Sequence, residues 1–445
     1  MVSVISGNIV NEGRIFSGSI KICGDTIVDI IPLQEKPREG DPYILPGVID
    51  EHVHFREPGM TDKGDIATES RAAAAGGVTT FMDMPNTCPQ TTTIDALKHK
   101  IAIAKQSSLV NYAFYLGATH DNMAELQNVD TALTPGIKLF MGASTGNMLV
   151  DSDEALNCIF EVATRRGLPI IAHCEDSAMI ARNEEKLRKQ LGNEAGVEFH
   201  PIIRNEEVCA NSTRKAIALA RKHNANLMVA HVSTATELQE IAATQGHVRA
   251  EGCLSYLMFS NEDYATLGAR IKCNPAIKSA NDRQALRQAL SNGAIYAIAT
   301  DHAPHLPANK KGGVFQAASG MPSVQFSLVL MLQLAEEGVL SLPRVAELMS
   351  HNPAQYFGVY KRGFIRKGYK ADIAVVSRLT APHIISDKEV LSRCGWTPYA
   401  GLATNWQVEA TYCNGIQIYT HNQGITVSQP AGQQVEFHHA DNAQI

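Results

Sequence analysis

A chain of 445 residues with 44% hydrophobic and 19% charged side chains has the composition of a folded globular protein, long enough for one large α/β barrel and a smaller appended domain. Its 39 basic and 45 acidic residues leave a formal charge of −6, so it lacks the basic footprint of a nucleic-acid binder, and no run approaches the roughly 18 apolar residues of a membrane span. Nine scattered cysteines include no C-x-x-C pair, which argues against a disulfide framework and a structural zinc site; with no signal-peptide pattern in MVSVISGNIVNEGRIF, the expected compartment is the cytoplasm.

Residues 1–45 alternate apolar and polar side chains, as in Ser19-Ile20-Lys21-Ile22, with a turn at Gly24-Asp25. That pattern predicts short antiparallel strands. Residues 46–360 have a different rhythm. Apolar runs at 48–54, 78–84, 111–119, 137–143, 168–174, 226–233, 247–253 and 294–302 alternate with segments of helical composition such as 213–223 and 235–244. Eight such alternations predict a (β/α)8 barrel of the TIM type, an open doubly wound sheet being the architectural alternative. Residues 361–445 return to strand patterns, with an Asn-Gly hairpin signal at Asn414-Gly415. The two β-rich ends are expected to form one small β-sandwich domain, and the polar stretch from 428 to 445 is expected to be poorly ordered.

The polar residues of the middle segment gather at the C-terminal ends of its apolar runs. His52 and His54 lie on the first, Asn86 just beyond the second and Lys138 in the fourth. His173 ends the fifth, His231 lies in the sixth and Asp301 ends the eighth. A barrel brings the C-terminal ends of its strands to one face, so these distant residues should converge there.

An H-x-H in a strand presents both imidazoles on one face, where they can share an ion. Taken alone it is equally a pair of core histidines, but with His173, His231 and Asp301 it forms a nitrogen and carboxylate set suited to zinc or a similar divalent ion. Lys138 stands in the apolar run Ile137-Lys138-Leu139-Phe140, where a charged amine is costly. It either snorkels to the rim, pairs with a carboxylate, or is neutral and reacts with carbon dioxide to give a metal-bridging carbamate. At an unperturbed pKa only about one amine in a few thousand is neutral at pH 7, so the last reading needs a shifted pKa.

Together, HVHFREPG (52–59), PNT (85–87), IKLFMG (137–142), AHCED (172–176), AHVS (230–233), NPAIK (274–278) and ATDHAPH (299–305) resemble the dihydroorotases of the amidohydrolase superfamily, in order, over residues 44–320. The resemblance implies a two-zinc site in which His52 and His54 hold one ion, His173 and His231 the other, and Asp301 is a further ligand; Lys138 stands where members that use a carboxylated lysine have it, other members bridging their metals with an aspartate from a different position. It implies reversible cyclisation of N-carbamoyl-L-aspartate to L-dihydroorotate in pyrimidine synthesis, with a hydroxide formed between the metals and Asp301 as general base and then acid. A homodimer is the family's expectation, and association with aspartate transcarbamoylase occurs in some members.

Ring-opening amidohydrolases share that metal set, so the choice of ring rests elsewhere. The fork of Arg56 suits the carboxylate that distinguishes dihydroorotate from a plain dihydropyrimidine. In the resembling family the matching Arg56, Asn86, Asn274 and His305 hold substrate, and backbone near Ala318 and Gly320 contacts the ring. Each also has an ordinary reading: Asn86 and Asn274 as turn residues beside proline, Arg56 as a local partner of Glu57. The stretch 306–320 reads either as a loop that closes over substrate or as a surface connection with its two lysines solvated. Two segments depart from the family pattern. Gly252-Cys253-Leu254-Ser255-Tyr256 lacks a His-His pair, and Gly320-Met321-Pro322-Ser323-Val324-Gln325 lacks a glutamate. The competing readings are a hydantoinase, dihydropyrimidinase or allantoinase, which are not expected to show F-R-E-P-G, and a non-catalytic scaffold, which should have lost metal ligands.

Overall fold

The computed structural model describes residues 2–38, 40–142 and 148–439. Near its start, β1 (Val2–Asn11), β2 (Arg14–Cys23) and β3 (Thr26–Pro32) form two successive hairpins, and β4 (Tyr43–Pro46) pairs parallel to β1. The β1–β2 turn places Glu12 and Gly13 at φ +50° and +75°, the left-handed pair that a tight two-residue hairpin requires.

The barrel strands follow: β5 (Val48–Val53), β6 (Val78–Asp83), β7 (Asn111–Phe114), β8 (Leu116–Gly117), β9 (Ile137–Phe140), β10 (Ile170–His173), β11 (Leu227–Val229), β12 (Val248–Cys253) and β13 (Ala297–Ala299). β7 and β8 are one strand interrupted at Tyr115, which makes eight. All pair in parallel, and nearly every residue is buried, because helices cover the outer face while side chains fill the interior. The eighth strand returns to the first: Thr300 N–H donates to Asp50 at 3.1 Å and His54 N–H to the His302 carbonyl at 2.7 Å. That closure decides for the barrel and against the open sheet.

The covering helices begin where the sequence supplies caps. Ser152 caps 153–166, Asn205 caps 206–223 and Thr234 caps 235–242, each accepting a backbone N–H of the first turn. Gly167 at φ +67° and Asn224 at φ +52° end the first two in the left-handed conformation.

Beyond the barrel, β14 (Ile373–Ile384), β15 (Ala403–Cys413), β16 (Ile416–Thr420) and β17 (Gly424–Ile425) run antiparallel, with Asn414-Gly415 as the turn between β15 and β16. β14 also pairs with β4, so both ends of the chain join one eight-stranded sheet ordered β17-β16-β15-β14-β4-β1-β2-β3. The sheet curls over a cluster that includes Ile9, Ile20, Ile27, Ile373 and Val375, while Val10, Leu45, Ala374 and Val408 on its other face join the barrel core.

One expectation needs correction. Much of the polar tail is docked. Val435 and Phe437 are 1% and 2% exposed, packed with Phe357 and Phe364 beneath the barrel interior. The alternation Val435-Glu436-Phe437 puts two apolar side chains on one face of an extended segment, and Val435 N–H donates to the Tyr112 carbonyl at 3.0 Å. Residues 440–445, and Ala143 at the end of the fourth apolar run, lie outside the described residues. No helix among the described residues is long and apolar enough to cross a membrane.

Candidate active site

The strand ends converge on one cavity of about 350 Å³. Its lining includes every residue singled out in the sequence: His52, His54, Arg56, Asn86, Lys138, His173, His231, Asn274, Asp301, His305, Ala318 and Gly320. Met60, Lys63, Phe140, Ala303 and Ser319 complete it. Three of these residues, none a glycine, sit in the left-handed region: Arg56 at φ +69°, His231 at +38° and Asp301 at +46°. Such backbone costs on the order of 1–3 kcal/mol at each position and persists where surrounding structure holds it, characteristically at functional sites.

Ligand atoms of His52, His54 and Asp301 all lie within 4.8 Å of one another. Oδ1 of Asp301 is 3.0 Å from His54 Nε2 and 3.4 Å from His52 Nε2. The second pair meets through His173 Nδ1 and His231 Nε2 at 2.9 Å, and the His52 and His231 rings are 5.4 Å apart, which joins the two pairs.

Three of the four imidazoles are held by the nitrogen that faces away. His52 Nδ1–H donates to Glu251 at 2.8 Å, His54 Nδ1–H to Asn86 at 2.7 Å, and His173 Nε2–H to Glu175 at 2.8 Å. This is how proteins fix the tautomer and orientation of a metal-binding histidine. Glu251 also accepts the His231 N–H at 2.8 Å, and Arg204 pairs with Glu175. Glu251 and Glu175 were not singled out by sequence. For Glu251 the available signal was an acid inside a strand run, the same kind of signal that marks Lys138; Glu175 lies just beyond the end of β10.

Burial lowers the pKa of His52, His173 and His231 and so favours their neutral, metal-binding form. For Asp301, burial works toward the protonated form, but His52, His54 and His231 outweigh it and hold the carboxyl well below its usual range. Lys138 is fully buried, with Nζ 5.0 Å from the Phe140 ring centre and no hydrogen-bond partner among the described residues. Desolvation brings its pKa down to about 8 against the opposing pull of Glu251 and Asp301. It therefore neither snorkels nor hydrogen-bonds to a carboxylate. The orphaned amine, the neutral imidazoles and the carboxylate make a donor set that fits divalent metal.

On the other side of the cavity lies Arg56, 7% exposed, its Nε donating to the Pro304 carbonyl at 3.1 Å and its other end reaching His305 Nε2 at 3.1 Å. Burial brings the guanidinium pKa down to about 10, so it is still cationic at neutrality. Glu57 instead accepts the N–H of Ile66 at 2.9 Å, which removes the local ion-pair reading of Arg56. His305 Nε2 also lies 3.0 Å from the Ser319 carbonyl; as one nitrogen it serves Arg56 or Ser319, not both. Burial, with Arg56 and Lys310 nearby, pushes the His305 pKa down to about 2, so it is neutral. Asn86 is engaged with His54, and Oδ1 of Asn274 with His200 Nε2 at 3.0 Å.

Apart from Gly320, the two segments that depart from the family pattern lie off this lining. Leu254 and Ser255 are buried in the short helix 254–258, and Tyr256 donates to the Pro275 carbonyl at 2.8 Å. Gln325 bonds main-chain atoms of Glu389 and Leu391 at the junction with the sheet. On the 306–320 connection Lys311 is exposed, but Lys310 is only 8% exposed, which corrects the reading of two solvated lysines.

The sequence pattern of the amidohydrolase family matches residues 43–418. The dihydroorotase of Halobacterium salinarum is 35% identical over 366 residues, 81% of this chain and 83% of that protein. An allantoinase of Rubrobacter xylanophilus is 32% identical over 402 residues, 88% of this chain and 86% of its own. Among solved structures, the L-hydantoinase (dihydropyrimidinase) from Arthrobacter aurescens superimposes with a TM-score of 0.91 at 26% identity, covering 97% of this chain and 99% of that one.

Proposed function

Because the chain belongs to the amidohydrolase family, a hydrolase family whose dihydroorotase, allantoinase and hydantoinase members are its relatives, we propose that it is a metal-dependent dihydroorotase. The observation that carries the choice is Arg56, a buried cation facing the same cavity as the histidine and aspartate cluster. A cyclic amide without a carboxylate gives that guanidinium nothing to pair with, and a buried unpaired charge is costly.

His52, His54 and Asp301 would hold one metal ion and His173 and His231 a second, with zinc the expected metal. When bound, such ions acidify a water and polarise an amide carbonyl. The chain's own residues do the rest. The neutral Lys138 amine adds to carbon dioxide, forming an N–C bond and releasing one proton to solvent; the resulting carbamate spreads one negative charge over two oxygens where the free amine has no partner among the described residues. Glu251, Asn86 and Glu175 keep three imidazoles aimed into the cavity. Arg56, with Asn274 and His305, receives the substrate carboxylate and fixes which ring carbonyl faces the cluster. Asp301, ionised at neutrality, takes the proton of the attacking water and returns it to the ring nitrogen as that bond breaks. In the direction of synthesis the same transfers run backwards and N-carbamoyl-L-aspartate closes to L-dihydroorotate. Assembly as a homodimer, with association to an aspartate transcarbamoylase, belongs to the same proposal.

A second reading is supported by the allantoinase relatives and the hydantoinase likeness: an amidase for uncharged rings. Turnover of L-dihydroorotate, hydantoin, dihydrouracil and allantoin by zinc-loaded protein separates the two. Preference for dihydroorotate, lost on chelation, is the expected result. Activity confined to the other three rings would overturn the dihydroorotase reading, and inactivity on all four would favour a scaffold.

A further inference from the structure

The buried lysine on the connection after the last barrel strand has no place in the chemistry above, yet its contacts are complete. Lys310 Nζ donates to three main-chain carbonyls: Lys272 at 2.9 Å, Ala318 at 2.7 Å and Gly320 at 2.8 Å. A neutral amine has two N–H bonds; three acceptors are satisfied only by the ammonium. Burial pulls its pKa down to about 7, and the three carbonyls favour the charged form against that pull; Nζ sits 5.9 Å from the ring centre of Trp396, whose indole N–H in turn donates to the His305 carbonyl at 2.7 Å.

Two of those carbonyls belong to cavity-lining residues, and the strip between them is fixed at almost every other atom. Ala318 N–H donates to the Asn309 carbonyl at 2.8 Å, Gly320 N–H to the Lys272 carbonyl at 2.9 Å, and Lys272 Nζ bonds the Ala317 carbonyl. Gly320 adopts φ +129°, and a Cβ there would fall 2.8 Å from the Ala303 carbonyl oxygen, so the strip passes too close to Ala303 for any side chain. One donor is left over. In a trans peptide the N–H points opposite to the C=O, so turning the Ala318 carbonyl toward Lys310 turns the Ser319 N–H away from it. That N–H donates to no other group among the described residues.

We propose that Lys310 is a positioning residue: from behind the strip, its ammonium sets the Ala318–Gly320 main chain so that the Ser319 N–H stands as a fixed donor to an oxygen of the bound ring or its carboxylate. The inference rests on the cyclic-amide reading. Its energetic logic is pre-organisation: a donor already held in place loses little freedom when the ligand arrives, whereas a free loop must be ordered at the expense of binding. Methionine at 310 keeps the apolar stem and removes the three donors.

The test is Lys310→Met, with zinc content and melting temperature measured beside the kinetics. The expected result is a KM for L-dihydroorotate raised by roughly tenfold or more, with kcat within about threefold and metal content unchanged. A merely structural lysine would lower the melting temperature and leave KM alone, and that outcome overturns the proposal. If the variant does not fold, the wild-type zinc protein decides through residue-resolved amide hydrogen exchange. Ala317, Ala318 and Gly320 amides should be protected without ligand, and the Ser319 amide should become protected only on adding an equilibrium mixture of L-dihydroorotate and N-carbamoyl-L-aspartate. Unprotected exchange across 317–320 in the free protein, or a Ser319 amide indifferent to that mixture in a protein that turns it over, would refute it. Should the wild type act on none of the cyclic amides, the functional reading fails, while protection of 317–320 still reports whether Lys310 pins the strip.

Discussion

Replacing Arg56 by methionine isolates the carboxylate-binding claim. Methionine fills most of the volume of the arginine stem and leaves the ligand atoms of His52, His54 and Asp301 untouched. The substitution removes a donor to the Pro304 carbonyl at 3.1 Å, which costs about 1 kcal/mol of stability and is read as a small fall in melting temperature. The larger effect should fall on substrate. A charge-assisted bond to a carboxylate contributes roughly 1.5–3 kcal/mol, and leaving that carboxylate desolvated and unpaired raises the loss to about 2–5 kcal/mol. At 1.36 kcal/mol per decade, kcat/KM for L-dihydroorotate should drop by roughly 30-fold to several thousand-fold. Hydantoin or dihydrouracil, with no carboxylate to lose, should change by no more than about threefold on the same scale. The assay is kcat/KM on both ring classes, with bound zinc quantified in the same preparations. Normal turnover of dihydroorotate by a fully metallated variant would refute the assignment, and an equal loss on charged and uncharged rings would mean that Arg56 supports the fold of the site and does not read the substrate.

Four further outcomes are expected. Glu251→Leu removes the acceptor of His52 Nδ1–H and of the His231 N–H, and should weaken metal binding by about 10- to 100-fold, measured by competition with a chromophoric chelator; unchanged affinity would show that the imidazoles hold their aim without it. Lys138→Ala should lose metal and activity, with partial recovery on adding a short carboxylic acid small enough to occupy the vacated space; full activity without additive would exclude a carbamate. Lys100→Met leaves the fully buried Asp83 without its cation, and should destabilise the protein by about 3–5 kcal/mol, seen as a large drop in melting temperature. Dialysis against a chelator should abolish turnover, and zinc should restore it; activity that survives complete metal removal would contradict the donor-set argument.

Much of this site is legible in the bare sequence because barrel strands are buried on both faces. A polar residue at the end of an apolar run is then conspicuous, as His173, Asp301 and Lys138 are. What the sequence hides is mostly pairing over long distances. Glu251 lies 199 positions from the His52 it orients, and nothing local to Arg249-Ala250-Glu251 announces that partner. Lys310 lies in a stretch whose glycines and adjacent lysines have surface composition, yet three carbonyls from two separate segments enclose it. For the tail, overall polarity conceals a two-residue alternation, and only the apolar underside of the barrel gives Val435 and Phe437 somewhere to go.

That docked tail bears on how the molecule is made. Asn111, at the start of a central barrel strand, accepts the backbone N–H of Gln433, 322 positions later, and Phe437 closes over the same underside. A ribosome therefore releases all eight barrel strands before the segment that seals them has been synthesised. Until then that underside lacks the part of its cover that Val435 and Phe437 supply beside Phe357 and Phe364, and β4 waits in the same way for β14. The barrel is thus sealed only after a segment far beyond its last strand has been made, and a nascent protein stalled near residue 430 should bind chaperones that recognise exposed apolar surface although the histidines and aspartate of the cavity have already been synthesised.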